Sequence, residues 1–293
     1  MIKSEFEQVV VIGSGTMTSE CVKILQKTGL PIIMYDSNFT EMSKMNKYSG
    51  LNVSYMDVDK ETIFTKLLET TKKSLVCLVV CNYLIPTEII RKENLSIINY
   101  HNALLPNHRG RNAESWVLYE QEPLTGVTWH FVDRGIDTGD IIAQKEIKLH
   151  QTMTALSLLK LQNQIALDTF KAIIGPLLEE CATRYKQPTI HSSKLHLSKK
   201  IPNDGFLDFS WGINKIWAFI RAMDYGALRT MGHPKVKYNE KIYTWRKATL
   251  QDYHEELPNI VFNEQEDYIL INKNGRAIKL DSIREVGGNR NNG

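Results

Sequence analysis

The chain has 293 residues, 42% of them hydrophobic and 24% charged, with a formal net charge of +3. That length exceeds one average domain and falls short of three, and the composition is that of a globular protein with a core of ordinary size. So small a net charge excludes a global field for gripping nucleic acid or an anionic membrane, although a local patch remains open. The four cysteines, Cys21, Cys77, Cys81 and Cys181, form no CxxC pair and lie among apolar runs. They are expected to be buried, reduced thiols in a reducing, cytoplasmic compartment. The opening MIKSEFEQVVVIG carries acidic residues before its apolar run and no small-residue cleavage site, so no signal peptide is expected. No apolar stretch approaches the ~20 residues that a bilayer-spanning helix needs.

In chain order, Gln8–Ile12 is a continuous β-branched run, as expected of a strand buried on both faces. Gly13-Ser14-Gly15 turns it into a helix carrying Cys21, Val22, Ile24 and Leu25. Pro31–Tyr35 reads as a second strand, Ile63, Leu67 and Leu68 mark a helix, and Leu75–Val80 and Ser96–Tyr100 are further strands. Alternation of this kind predicts the α/β class: a Rossmann-like, mostly parallel sheet with helices on both faces. Gly126–Val132 and Ile141–Ile147 lie too close together for a helix to join them and are expected as antiparallel additions. An amphipathic helix starts near Thr154, with Leu156, Leu159, Ala166, Phe170 and Ile173 at helical spacing, and Gly175-Pro176 is expected to interrupt it.

Gln187–Asp204 is polar, lysine-rich and dotted with prolines, which marks a linker after a first domain over residues 1–186. Beyond it Trp211–Met223 reads as a helix. The short runs Lys235–Tyr238, Ile242–Arg246, Asn259–Phe262, Tyr268–Ile271 and Ala277–Ile283 then predict a small β-rich module, a barrel or sandwich, over 205–286. The tail over 287–293 is expected to be disordered.

Two constellations carry candidate chemistry. Gly13-Ser14-Gly15-Thr16-Met17-Thr18 stands between a strand and a helix, with Asp36 ending the next strand, as in a dinucleotide fingerprint. Thr18 replaces the third glycine, and any tight strand-to-helix turn favours glycine. The second constellation is Asn99-Tyr100-His101-Asn102-Ala103-Leu104-Leu105-Pro106, then Arg109-Gly110-Arg111, and later Gly135-Ile136-Asp137-Thr138-Gly139-Asp140. Asn99 and His101 alternate on a strand end, so their side chains share one face near the C-terminal edge of the sheet. An amide beside an imidazole is an oxyanion-stabilising pair. A carboxylate from a glycine-bounded loop can hold that imidazole protonated or relay protons. A lone histidine at a strand end is ordinarily structural; Asn99 and the Gly-x-Asp loop turn that reading towards catalysis. His101, His108, His130 and Asp137 offer no paired-histidine spacing, so no metal is expected.

The pattern Asn-x-His-x-x-Leu-Leu-Pro followed by Gly-x-Asp-x-Gly-Asp resembles the signature of folate-dependent formyltransferases, which act on methionyl-tRNA, glycinamide ribonucleotide or sugar nucleotides. The resemblance is specific over Leu75–Ile147 and weaker through Phe206–Ser210 and the β-rich module, which is similar to the barrel-like (OB-like) domain some members append. It implies that Asn99, His101 and Asp137 are catalytic and that 10-formyltetrahydrofolate is the co-substrate. It also implies a pterin held by Asn82, Tyr83, Leu84, Ile85 and Pro86 and by Arg134, Gly135 and Ile136, with Leu104 lining the pocket. Arg109 and Arg111 are a solvated turn or meet an anionic group of folate or acceptor.

The acceptor is the open question at this level. From residue 201 onward 13 Lys and Arg stand against 12 Asp and Glu, a balance that does not favour tRNA. The segments around Trp116, Trp129 and Arg221–Gly226 are similar to formyltransferases of amino sugars and of peptide assembly lines. The expected partner is therefore a small-molecule or carrier-bound primary amine. A deformylase using water and, more remotely, a nicotinamide-dependent oxidoreductase built on Gly13–Thr18 are the competing readings.

Overall fold

The computed structural model describes residues 3–37, 51–56, 58–189, 194–252 and 258–287. The expected disordered tail lies outside them apart from Gly287, as does part of the expected linker. The chain folds as two compact units: Met1–Gly110 with Gly126–Ile147 and Lys160–Leu195, and Arg111–Thr125 with Lys148–Leu159 and His196–Gly293. The last changeover falls inside the expected linker. Two earlier segments belong to the second unit although they precede it in sequence.

The first unit is built on a seven-stranded sheet. Its strands are β1 (Gln8–Gly13), β2 (Ile32–Asp36), β3 (Ser54–Met56), β4 (Ser74–Val79), β5 (Leu95–His101), β6 (Leu124–Phe131) and β7 (Ile141–Lys148), in spatial order β3-β2-β1-β4-β5-β6-β7. The pairs β1–β2, β1–β4, β2–β3 and β4–β5 are parallel, and β5–β6 is antiparallel. Helices α1 (Gly15–Gln26), α2 (Lys60–Glu69) and α3 (Thr87–Ile90) supply the crossovers. Every residue of β1 and β4 is buried, because helices cover both faces. On one face Val10, Ile12, Val76, Leu78 and Ile97 pack with Ile63 and Leu67 of α2 and Ile89 of α3. Each such side chain contributes about 1.5–3 kcal/mol by leaving water, enough to fix the sheet order and the place where β5 ends.

The turn after β1 shows why the fingerprint-like glycines are there. A Cβ on Gly13 would lie 1.8 Å from Val79 O, so the close approach of β1 to β4 demands glycine. Gly15 has φ +82°, the left-handed region that glycine enters without cost. Thr18 fills the space beside them, its hydroxyl 2.9 Å from both Val79 O and Ser14 O. Helix α2 starts on Asp59, whose carboxylate accepts from Thr62 N at 2.7 Å.

Three expectations are corrected. Gly175-Pro176 does not interrupt its helix, which runs as one element over Ala155–Leu178. Pro176 withholds only the hydrogen bond owed to Ala172 near the helix end, and burial of Leu177 and Leu178 offsets that loss. Of the cysteines, Cys21 and Cys77 are buried, but Cys81 is half-buried and Cys181 exposed, since it follows the helix end rather than a core strand. Three strands of the second unit, Phe206–Leu207, Lys247–Asp252 and Arg284–Glu285, carry too little apolar alternation to have been expected.

In the second unit the helix Ala113–Tyr119 packs on the helix Ile213–Met223. The β-rich part comprises two four-stranded sheets. One joins Phe206–Leu207, Lys235–Tyr238, Lys241–Thr244 and Arg284–Glu285; the other joins Lys247–Asp252, Arg276–Asp281, Tyr268–Lys273 and Ile260–Asn263. Ile269, Ile271, Ile278 and Leu280 form its apolar floor. Among the described residues, no helix is long and apolar enough to cross a membrane.

Candidate active site

Strand β5 ends at the C-terminal edge of the parallel strands, in register with β4 so that Leu78 lies opposite Asn99. Asn99 and His101 share one face there. The antiparallel register of β6 sets His130 directly across from Asn99 and Thr128 across from His101, and side chains directly opposite one another meet. Asp137 arrives from the loop after β6, held at φ 53°.

The four side chains form one contiguous polar group. His101 Nε2 lies 2.9 Å from His108 O, and a carbonyl only accepts, so Nε2 carries the hydrogen. In the neutral ring Nδ1 is then the basic nitrogen, and it faces Asp137 Oδ2 at 3.5 Å. His130 is fixed the other way: Nδ1 donates to Phe131 O at 2.8 Å, leaving Nε2 to accept from Asn99 Nδ2 at 3.2 Å. The second amide hydrogen of Asn99 goes to Asp137 Oδ1 at 3.3 Å. Asp137 Oδ2 also accepts from Gly110 N at 2.8 Å.

Charge follows from these contacts. Burial pushes the Asp137 carboxyl up, but the neighbouring His101 and His130 rings and the Gly110 N–H together outweigh it and hold the group well below the usual carboxylate range. Burial dominates at His101 and lowers its pKa below the ordinary 6.5, although Asp137 works in the opposite direction. Burial and the Asp137 carboxylate thus act on the His101 proton in opposite directions, with burial the larger. A proton reaching Nδ1 is stabilised by that carboxylate as it arrives.

The Asp137 loop is shaped by its glycines and by a distant side chain. A Cβ on Gly139 would meet Phe131 O at 1.9 Å, and one on Gly135 would meet Thr138 Oγ1 at 2.0 Å. Asp133 Oδ1 accepts from Gly135 N at 3.0 Å and from Thr138 Oγ1 at 2.6 Å. Gln187 Nε2 donates to Asp137 O at 2.9 Å and to Gly139 O at 2.8 Å, bracing the loop from outside. Gln187 was expected only to begin a linker; its role has no local sequence signal. His130, weighed only as an imagined metal ligand, joins the group because of strand register.

The turn at 102–106 is held by two glutamines. Gln144 Nε2 donates to Leu105 O and to Thr128 Oγ1, both at 2.9 Å, while Thr128 donates to Ala103 O at 2.6 Å. Gln162 Nε2 donates to Asn102 O at 2.7 Å and Gly126 O at 3.1 Å. This fixes half-buried Leu104 against Gly126, where any Cβ would lie 2.4 Å from Leu104 Cδ2.

The residues expected to hold a pterin lie in loops at the same sheet edge. Asn82–Pro86 follow β4, with Leu84 71% exposed and Tyr83 donating to Ser37 O at 3.1 Å. Arg134, Gly135 and Ile136 lead directly into Asp137, with Arg134 and Gly135 exposed. Arg109 is tied through its backbone N to Lys194 O at 3.0 Å and Arg111 through its own to His196 O at 2.9 Å; both side chains are half-buried.

An α/β sheet whose edge carries an amide, a basic imidazole and a caged carboxylate is built for acyl-type transfer to a nucleophile, with an oxyanion to hold and a proton to move. The chain matches the formyl transferase family model over residues 42–168. It is 26% identical over 227 residues to a methionyl-tRNA formyltransferase of Clostridioides difficile, covering 77% of this chain and 71% of that one. It is 33% identical over 144 residues to a GDP-perosamine N-formyltransferase of Brucella melitensis, covering 48% of this chain and 52% of that one. In fold it is similar to an N-formyltransferase from Helicobacter canadensis, solved with folinic acid and dTDP-3-aminofucose. The TM-score is 0.74 at 20% identity, over 95% of this chain and 99% of that one.

Proposed function

We propose that the protein transfers the formyl group of 10-formyltetrahydrofolate to the primary amine of a small molecule, with an amino sugar nucleotide the first choice of acceptor and an aminoacyl group the second. The observation that carries the reaction is the Asn99–His101–Asp137 group, in which His101 Nδ1 faces the Asp137 carboxylate at 3.5 Å. The acceptor nitrogen attacks the formyl carbon, forming a C–N bond. Asn99 turns an amide hydrogen from its present partners to the developing oxyanion. His101 Nδ1 takes the proton shed by the amine, and Asp137 stabilises the imidazolium that results. The same proton goes to the folate nitrogen as the old C–N bond breaks. Loops 82–86 and 134–136 and Leu104 hold the pterin in this reading, and Arg109 and Arg111 meet anionic groups of folate or acceptor.

The amino sugar choice is supported by the Brucella relative, named for GDP-perosamine, and by the Helicobacter structure, which holds an amino sugar nucleotide. The near-neutral charge balance from residue 201 onward weighs against tRNA. A cytoplasmic location fits a folate co-substrate and unpaired cysteines. Incubation with 10-formyltetrahydrofolate and a panel of nucleotide amino sugars, aminoacyl carriers and charged tRNA, read by mass spectrometry, tests the assignment. One formyl mass added to an amino sugar is expected. Folate consumption without any acceptor would identify a deformylase instead.

A further inference from the structure

The second unit contains a cavity of about 280 Å³ lined by Leu118, Gln121, Pro123, Gln151, Trp217 and Arg221, among others. Arg221 is 7% exposed. Its Nη1 donates to Met153 O at 3.0 Å and to His150 O at 3.3 Å. Its Nε is buried without a hydrogen-bond partner. Burial alone lowers its pKa, with no carboxylate acting on it, although Glu122 stands on the same cavity wall. A guanidinium remains charged under such a shift. Buried charges in folded proteins are ordinarily paired, because desolvating one alone is costly.

The geometry of the guanidinium says what is missing. Nη1 is committed to the two carbonyls of the segment around 150–153. Nε is shut off from solvent, which leaves Nη2 as the guanidinium nitrogen with hydrogens to offer an anion. Beside it Trp217 is half-buried, its indole anchored by Nε1 donating to Gln151 O at 2.9 Å. A fixed indole is a platform for a flat ring. Leu118 and Pro123 add apolar wall, while Gln121 and Asn214 offer amides for orientation. The volume is at the small end of ligand pockets, room for a single ring bearing its anionic group.

We propose that this cavity binds a small organic anion, a carboxylate or phosphate monoester carried on a flat ring, held by Nη2 of Arg221 and stacked on Trp217. The site stands on residues separate from the Asn99–His101–Asp137 group and does not depend on the reaction assigned to that group. The test uses the full-length protein with phenyl phosphate, benzoate, neutral benzamide and inorganic phosphate as probes. Phenyl phosphate and benzoate should raise Tm by roughly 2–4 °C for each tenfold increase in concentration above Kd, and benzamide should not. With ¹⁵N-labelled tryptophan, the Trp217 indole N–H resonance, assigned by its absence in Trp217→Leu, should shift over the same concentrations.

Arg221→Met should abolish both responses. Because Arg221 also ties down two carbonyls, that variant can fail to fold. Trp217→Leu provides the second arm: it should weaken the aryl anions about tenfold or more while leaving any response to inorganic phosphate. Three results overturn the proposal: no anion response in the wild type, an equal response to benzamide, or a Tm shift that leaves the Trp217 resonance unmoved. The last would place the anion elsewhere.

Discussion

Replacing Asp137 by asparagine keeps the shape of the side chain and removes its charge. The consequence can be worked from the contacts. One carboxylate oxygen accepts from Gly110 N at 2.8 Å and faces His101 Nδ1 at 3.5 Å; the other accepts from Asn99 Nδ2 at 3.3 Å. An asparagine can keep its oxygen on Gly110 only by pointing its NH₂ at the Asn99 amide, donor against donor. In the reaction proposed here the carboxylate stabilises an imidazolium 3.5 Å away. At an effective dielectric of ~20 that attraction is about 5 kcal/mol, of which the amide dipole retains a minor part. A loss of about 3–4 kcal/mol corresponds to a 10²–10³-fold fall in kcat. The assay is a pH–rate profile of both enzymes, with binding of a non-reactive folate analogue measured alongside. His101 must be neutral to act as base, so the wild-type rate should rise with pH through the histidine's pKa, which burial sets below 6.5, and then level off. In the mutant the rise should move to lower pH, because the carboxylate that opposed burial is gone, and the plateau should drop. Analogue affinity should change little. A plateau within about threefold of wild type, or a wild-type rate that falls as His101 loses its proton, would refute the base assignment.

Four further outcomes follow. Asn99→Ala and His101→Ala should each reduce turnover by roughly 10²–10³ while leaving the circular dichroism spectrum native, since both stand at a strand end and their side chains meet the polar groups of the site. Gln187→Leu, which removes both donations to the Asp137 loop, should lower kcat about 10–100-fold with a small change in Tm; an unchanged kcat would make Gln187 a bystander. Gly13→Ala should cost about 1–3 kcal/mol in chemical denaturation, because its methyl would strike Val79 O. Neither NAD nor NADP should raise the wild-type Tm at concentrations where a folate analogue does, and a clear shift with either would restore a dinucleotide role to this turn.

What could be read from the sequence was what depends on local chemistry. Continuous β-branched runs announced β1 and β4, because a strand covered on both faces has no polar side. Asn99 and His101 could be paired because strand alternation puts them on one face whatever the rest of the fold does. The glycines around Asp137 were visible, and the structure gives them a steric cause in Phe131 O and Thr138. Contacts made by register or by chain return could not be read this way. His130 faces Asn99 only because β6 pairs with β5 in one particular alignment; a slip of one residue would turn it away. Gln187 lies fifty residues beyond Asp137 in a stretch whose polarity reads as a linker. It earns its place through two carbonyl oxygens that belong to every residue type. Backbone acceptors carry no residue-specific signal, so the groups that brace a catalytic loop are the ones a motif omits. His101 shows the same limit for charge. Asp137 in the motif raises its pKa, whereas the burial that outweighs this comes from the whole sheet edge, which the spacing does not encode.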